Sequence, residues 1–282
     1  MKTPLQQKYL RKLSDLNDHL CFYLFNKQEL NDKLSNFTPE DNELFTPDLF
    51  PHNSYSKKIN VTLKKLPSFQ EQNQLINFGS YFSFSYEFFH AYMEDVMEII
   101  SYINTVSLTR SEKQNTPIEE QLQLLISKLG HGTPQQEVFD TIKYYRLRRN
   151  YITHLLEVLT SGFSDLINDE GENLNLFWKD AVTELDFTNY DIGVITENEI
   201  VDLLKIQRIL LTIIDKFIAP LLQKEGIAKY ICTKRYIQPA RINKDIIIER
   251  KKTVSKLAIE SFGVELTDTE MDHAVKTIGV KK

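Results

Sequence analysis

Three side chains with complementary chemistry stand close together in the run Arg148-Arg149-Asn150-Tyr151-Ile152-Thr153-His154. An imidazole titrates near neutral pH, so His154 could take a proton in one step and return it in another. A guanidinium keeps its charge and offers a planar fork of donors, so Arg149 could hold an anion as charge builds on it. The Asn150 amide both donates and accepts, and could orient the imidazole or an anionic oxygen. If the run is helical, Asn150 and His154 share a face as i and i+4. Arg149 then leaves the axis about 100° away from Asn150 and reaches the same space by its length. Arg148, six residues before His154, competes for the arginine role; Arg149 is preferred because Asn150 follows it directly. The blander expectation is a hydrogen-bonded helix histidine beside a solvated basic face of Arg146, Arg148 and Arg149.

Other arrangements carry less. His90, with Glu87 and Glu94 at helical spacing, offers too few ligands on one helix for a metal, so no metal or cofactor is expected. His131 occupies the turn between Gly130 and Gly132. No GxxxxGK(S/T) loop, GxSxG elbow or HExxH pair occurs. Cys21 and Cys232 lie far apart and lack a CxxC partner, which excludes a disulfide framework and a cysteine zinc site. Both are expected as buried free thiols.

The elements that must position these groups are helices. Thr3-Pro4 sets a cap before a proline at the first helical position, and Leu5, Tyr9, Leu13, Leu16 and Leu20 keep helical spacing to about Leu34. Residues 36–67, with four prolines, predict an irregular insertion in which 59–63 alternates like a short strand. Ser68-x-x-Glu71 has the form of a capping box opening a long aromatic helix to about Val106, with Gly79 as a point where it could bend. Thr116-Pro117 and Thr133-Pro134 open two more helices. The second carries the motif and is expected to end at Gly162. Residues 163–195 predict a loop with short helical pieces. Thr196 caps a strongly apolar helix that should stop near Gly226, and helices near 244–261 and from Thr267 complete the chain. Five capped helices with few strand signals predict an all-α bundle.

Arg149-Asn150, three residues, then His154 resembles the R-x(4–6)-H signature of HEPN ribonucleases, in which a polar residue usually follows the arginine. The resemblance implies a HEPN-like helical bundle, here with a long N-terminal helix, loop insertions and a helical C-terminal extension. It implies a metal-independent endoribonuclease. The ribose 2′-OH attacks the adjacent phosphate and leaves a 2′,3′-cyclic phosphate and a 5′-OH. Arg149 would stabilise the transition state, His154 would move protons and Asn150 would position them. One chain supplies one such histidine, so the resemblance also implies a homodimer with a composite site across a two-fold axis. Members often serve as toxins or antiviral defence effectors, which makes RNA the expected substrate and an antitoxin or sensor protein an expected partner. One branch carries a tyrosine two residues after the histidine. Leu156 stands there in this chain, so a nucleotidyltransferase antitoxin modifying that tyrosine is not expected. The alternative is a non-catalytic HEPN-like helical module that binds a partner protein or RNA.

The chain has 282 residues, a formal net charge of −5, 41% hydrophobic and 26% charged residues, the balance of a globular protein with a core of useful size. A mean hydropathy of −0.33 and the lack of a long apolar run argue against a membrane span. The polar start lacks a signal segment, so a cytoplasmic protein is expected. Charge is uneven: residues 227–282 hold 12 Lys/Arg against 7 Asp/Glu. They are expected as a basic extension to a helical domain of residues 1–226. Lys234 and Arg235 in that extension, with Arg146, Arg148 and His131 nearer the motif, are secondary candidates for RNA contact. Phosphate binding by such a patch would weaken with salt.

Overall fold

The computed structural model describes residues 1–154, 158–238 and 240–280. The longer elements are α1 (Pro4–Leu34), α2 (Leu66–Asn104), α3 (Ile118–Ser127), α4 (Gln136–Thr153), α5 (Ser161–Trp178), α6 (Glu197–Ile218), α7 (Lys224–Arg235), α8 (Lys244–Leu257) and α9 (Asp268–Thr277). Among the described residues β pairing is confined to two isolated bridges, Phe45 with Thr62 and Ala240 with Val280. The protein is all-α. No helix of the described residues is long and apolar enough to cross a membrane.

The hub is α2. Phe78, Phe82, Tyr86, Phe89 and Tyr92 recur along it at helical spacing and are buried, and α1, α3, α4, α6 and α7 pack around it. Each such side chain contributes on the order of 1.5–3 kcal/mol when fully removed from water, so this stripe organises the bundle. Gly79 sits where α4 comes closest: a Cβ there would lie 3.0 Å from Ile152 Cγ2. Thr3 caps α1, accepting from the Leu5 N–H at 3.3 Å, and its own N–H reaches the Asp215 carboxylate on α6 at 3.2 Å.

Several local expectations fail for physical reasons. Helix α2 opens at Leu66, with Pro67 in its first turn, and the Ser68 hydroxyl donates to the Lys65 carbonyl at 2.8 Å instead of capping. The 59–63 strand is reduced to the Thr62 bridge, beside single helical turns at Thr46–Leu49 and Ser56–Ile59. Residues 161–178 form a full helix, not a loop. Phe163, Leu166, Ile167, Leu174 and Trp178 line its inner face, a period diluted in the sequence by acidic and amide residues on the outer one. Gly162 lies in the first turn of α5, and the motif helix ends earlier, at Thr153. Residues 155–157, which the longer helix would have included, lie outside the described residues. Gly226 does not stop a helix. It sits inside α7, where a Cβ would overlap the Ile103 carbonyl, so the glycine permits α7 to press on α2.

Residues from 227 onward join the core through Ile227, Ala228, Ile231 and Cys232. The Lys2 N–H donates to the Phe262 carbonyl at 2.9 Å, tying the two ends of the chain. Arg250 is buried and donates to the carbonyls of Val275, Ile278 and Gly279. Of the two cysteines only Cys232 is buried; Cys21 is exposed, contrary to expectation, on the outer face of α1.

Candidate functional site

Helix α4 is anchored by its inner face. The Tyr145 hydroxyl donates to the Leu203 carbonyl at 2.8 Å, Trp178 Nε1 donates to Thr141 Oγ1 at 2.8 Å, and Tyr144 lies edge-on to Phe163 and Phe187. These contacts fix the rotation of α4, and with it the directions in which successive arginines leave the axis.

Arg148 points inward and is 0% exposed. Its Nη1 lies 2.7 Å from Glu199 Oε1 and 3.3 Å from the Tyr144 hydroxyl, and its Nη2 donates to the Ile192 carbonyl at 3.2 Å. Thr196 caps α6 by accepting from the Glu199 N–H at 3.1 Å, while the Glu199 carboxylate turns to Arg148 instead of closing a capping box. Arg148 therefore cannot serve as a phosphate contact; it locks α4, α6 and the 179–196 connection together. Burial raises the Tyr144 phenol above its ordinary range; the Arg148 guanidinium opposes the shift and the Glu199 carboxylate adds to it.

Arg149 points outward to a cleft between α2 and α4. Its Nη2 lies 2.6 Å from Glu87 Oε1 of α2 and its Nη1 donates to Asn150 Oδ1 at 3.1 Å. Its Nε is buried without a partner among the described residues. The cleft has a volume of about 670 Å³ and an apolar wall that includes Leu75, Ile76, Phe84 and Ile152, with Glu87 and Arg149 among its polar groups. His154 is the C-cap of α4 and is exposed, and its N–H donates to the Asn150 carbonyl at 3.0 Å. It does not line the cleft wall. The three motif residues thus share the exposed C-terminal end of one helix, with Arg149 and Asn150 in direct contact.

The secondary candidates disperse. The Arg146 Nε and Nη2 grip Glu119 Oε1 at 2.9 and 2.8 Å, and Arg146 faces a separate cavity of about 870 Å³ that also contains His90, Glu94 and Glu98. His90 Nδ1 stands 3.8 Å from Glu94 Oε2, too far for a hydrogen bond. No group of three metal-ligating side chains occurs among the described residues. His131 is exposed in its turn, and Lys234 and Arg235 are exposed at the end of α7, a helix that packs chiefly on α2, α8 and α9.

Glu87 escaped the sequence as a partner of Arg149, because 62 residues separate them. The burial of Arg148 did leave a trace: Thr141, Tyr144, Tyr145 and Arg148 follow i, i+3, i+4, i+7, so the apolar spacing itself carries Arg148 inward.

No family model matches this chain, and neither the curated proteins nor the solved structures contain a match to it.

Proposed function

We propose that the protein is a metal-independent endoribonuclease of the HEPN type. The observation that carries the reading is the grouping at the solvent-facing end of α4: Arg149 on a cleft and in contact with Asn150 at 3.1 Å, and His154 exposed as the cap of the same helix. An exposed imidazole can reach a ribose hydroxyl or a leaving 5′ oxygen, and a guanidinium at a cleft can take the charge of a pentacoordinate phosphorus. The 2′-oxygen attacks the adjacent phosphorus and the bond to the 5′ oxygen breaks. One imidazole accepts the 2′ proton and another supplies a proton to the leaving oxygen, giving 2′,3′-cyclic phosphate and 5′-OH ends.

Two imidazoles call for two chains, so the working unit in this reading is a homodimer. Ile76 and Phe84, 69% and 59% exposed, give the cleft face apolar surface that a second copy or a substrate would cover. A toxin or antiviral role, with an antitoxin or sensor protein as partner, extends the same reading.

Incubation with single-stranded RNA in excess EDTA tests it. Cleavage should persist, leave cyclic phosphate ends, and fall about 10²–10⁴-fold in His154→Ala. Cleavage that stops with EDTA, or survives in His154→Ala, would end the proposal.

A further inference from the structure

We propose that Glu87 selects the base: the cleft receives one unstacked nucleobase beside the scissile phosphate, and the Glu87 carboxylate reads the edge of guanine. The inference rests on the ribonuclease reading and adds the identity of the base at that same site.

In the free protein the Arg149 fork is occupied, by Glu87 at 2.6 Å and by Asn150 at 3.1 Å. A phosphodiester that enters the fork takes the place of Glu87, since both offer paired anionic oxygens to the same donors. The displaced carboxylate then stands next to a polyanion, in a cleft whose wall is largely apolar. Its side chain is 49% exposed while paired, so what it meets is repulsion from the phosphate, together with loss of water wherever a bound base covers it.

A base that offers N–H groups removes that penalty. Guanine presents two in parallel, N1–H and the 2-amino group, matching the two carboxylate oxygens. Adenine and cytosine each set one amino group beside a ring acceptor, which would face the carboxylate unfavourably. Uracil has one imino proton between two carbonyl oxygens. The remainder of the cleft suits a planar ring. Phe84 lies three residues before Glu87 on α2, and Ile152 and Gly79 pack against each other at the α2–α4 contact. A space of about 670 Å³ accommodates a nucleoside. Unpaired strands can splay a base into such a cleft and stack it on an aromatic side chain; a duplex cannot without unpairing.

The test uses the full chain and uridine heptamers with a central A, C, G or U. Their 2′-fluoro sugars remove the nucleophile, so fluorescence anisotropy reads binding without cutting. The wild type should hold the guanine heptamer about tenfold or more tighter than the other three. Glu87→Gln should erase that preference without losing overall affinity, because it removes a negative charge facing the RNA. Phe84→Ala should weaken all four alike. Equal affinities in the wild type, or a guanine preference unchanged in Glu87→Gln, overturn the proposal. If Glu87→Gln fails to fold by circular dichroism, Glu87→Ala is read against the same two outcomes. On cleavable RNA, a missing activity alongside an intact guanine preference sinks the ribonuclease reading and leaves base selection standing. Cutting spread evenly over the four bases sinks base selection alone.

Discussion

Arg148 and Arg149 are neighbours in sequence, each paired with a glutamate from another helix, and they do opposite things. Arg148 and Glu199 meet at 2.7 Å with side chains 0% and 10% exposed, whereas Arg149 and Glu87 meet at 2.6 Å with side chains 29% and 49% exposed. Distance alone would rate the pairs equal. Burial separates them. An ion pair taken out of water is strongly coupled to the fold, because loss of one partner strands the other charge. A pair at the surface is screened, contributes little, and can exchange its partner for a ligand. One step of about 100° around α4 thus divides an arginine that holds the bundle together from one available for chemistry.

The largest effect that tests this contrast is on stability. Arg148→Met should destabilise the protein by about 3–5 kcal/mol in urea unfolding, since Glu199 is left buried and unpaired. Arg149→Met should stay within about 1 kcal/mol of wild type and instead lose cleavage. Equal destabilisation by the two variants would break the comparison. A smaller effect sharpens it: adding Glu199→Leu to Arg148→Met should recover most of the loss and end about 1–2 kcal/mol below wild type. The remainder reflects the Ile192 carbonyl and Tyr144 hydroxyl losing their donor. A double variant no better than Arg148→Met would show that the stranded charge is not the cause.

The smallest effect is a pH dependence. Burial raises the Tyr144 pKa in the folded chain above the ordinary value of a phenol. Below the unfolded value both states are protonated and its contribution is fully present. As pH rises through the unfolded and then the folded value, the unfolded chain releases the proton first and stability falls. Tyr144→Phe should therefore make the alkaline limb of the stability curve above about pH 10 less steep, with the buried Tyr92 and Tyr145 keeping the remainder, whereas Arg149→Met should leave that limb unchanged. An identical alkaline limb in wild type and Tyr144→Phe would remove Tyr144 as its source.

Much of the fold is legible in the residues. The caps at Thr3, Thr196 and Thr267 stand where the sequence puts them, since a hydroxyl or a proline acts on its own turn and needs no distant partner. Helix α5 was obscured because Asp165, Asp169, Glu170 and Glu172 on its outward side mask a sound inner stripe. Gly226 misled for a related reason: a glycine that ends a helix and one that admits a neighbouring carbonyl look the same in sequence, and only the Ile103 approach separates them.

By itself the sequence determined the helical class, most of the long helices and the grouping of Arg149, Asn150 and His154, because period, caps and short spacing are local properties; α5 and α7 escaped it. The inward turn of Arg148 had a local trace in its spacing from Thr141, Tyr144 and Tyr145, but what seals it, and that Glu87 is the residue answering Arg149, were decided only by tertiary packing. Those facts depend on how α2, α4 and α6 rotate against one another, and that rotation is set by contacts such as Tyr145 to Leu203 and Gly79 to Ile152, between residues far apart along the chain.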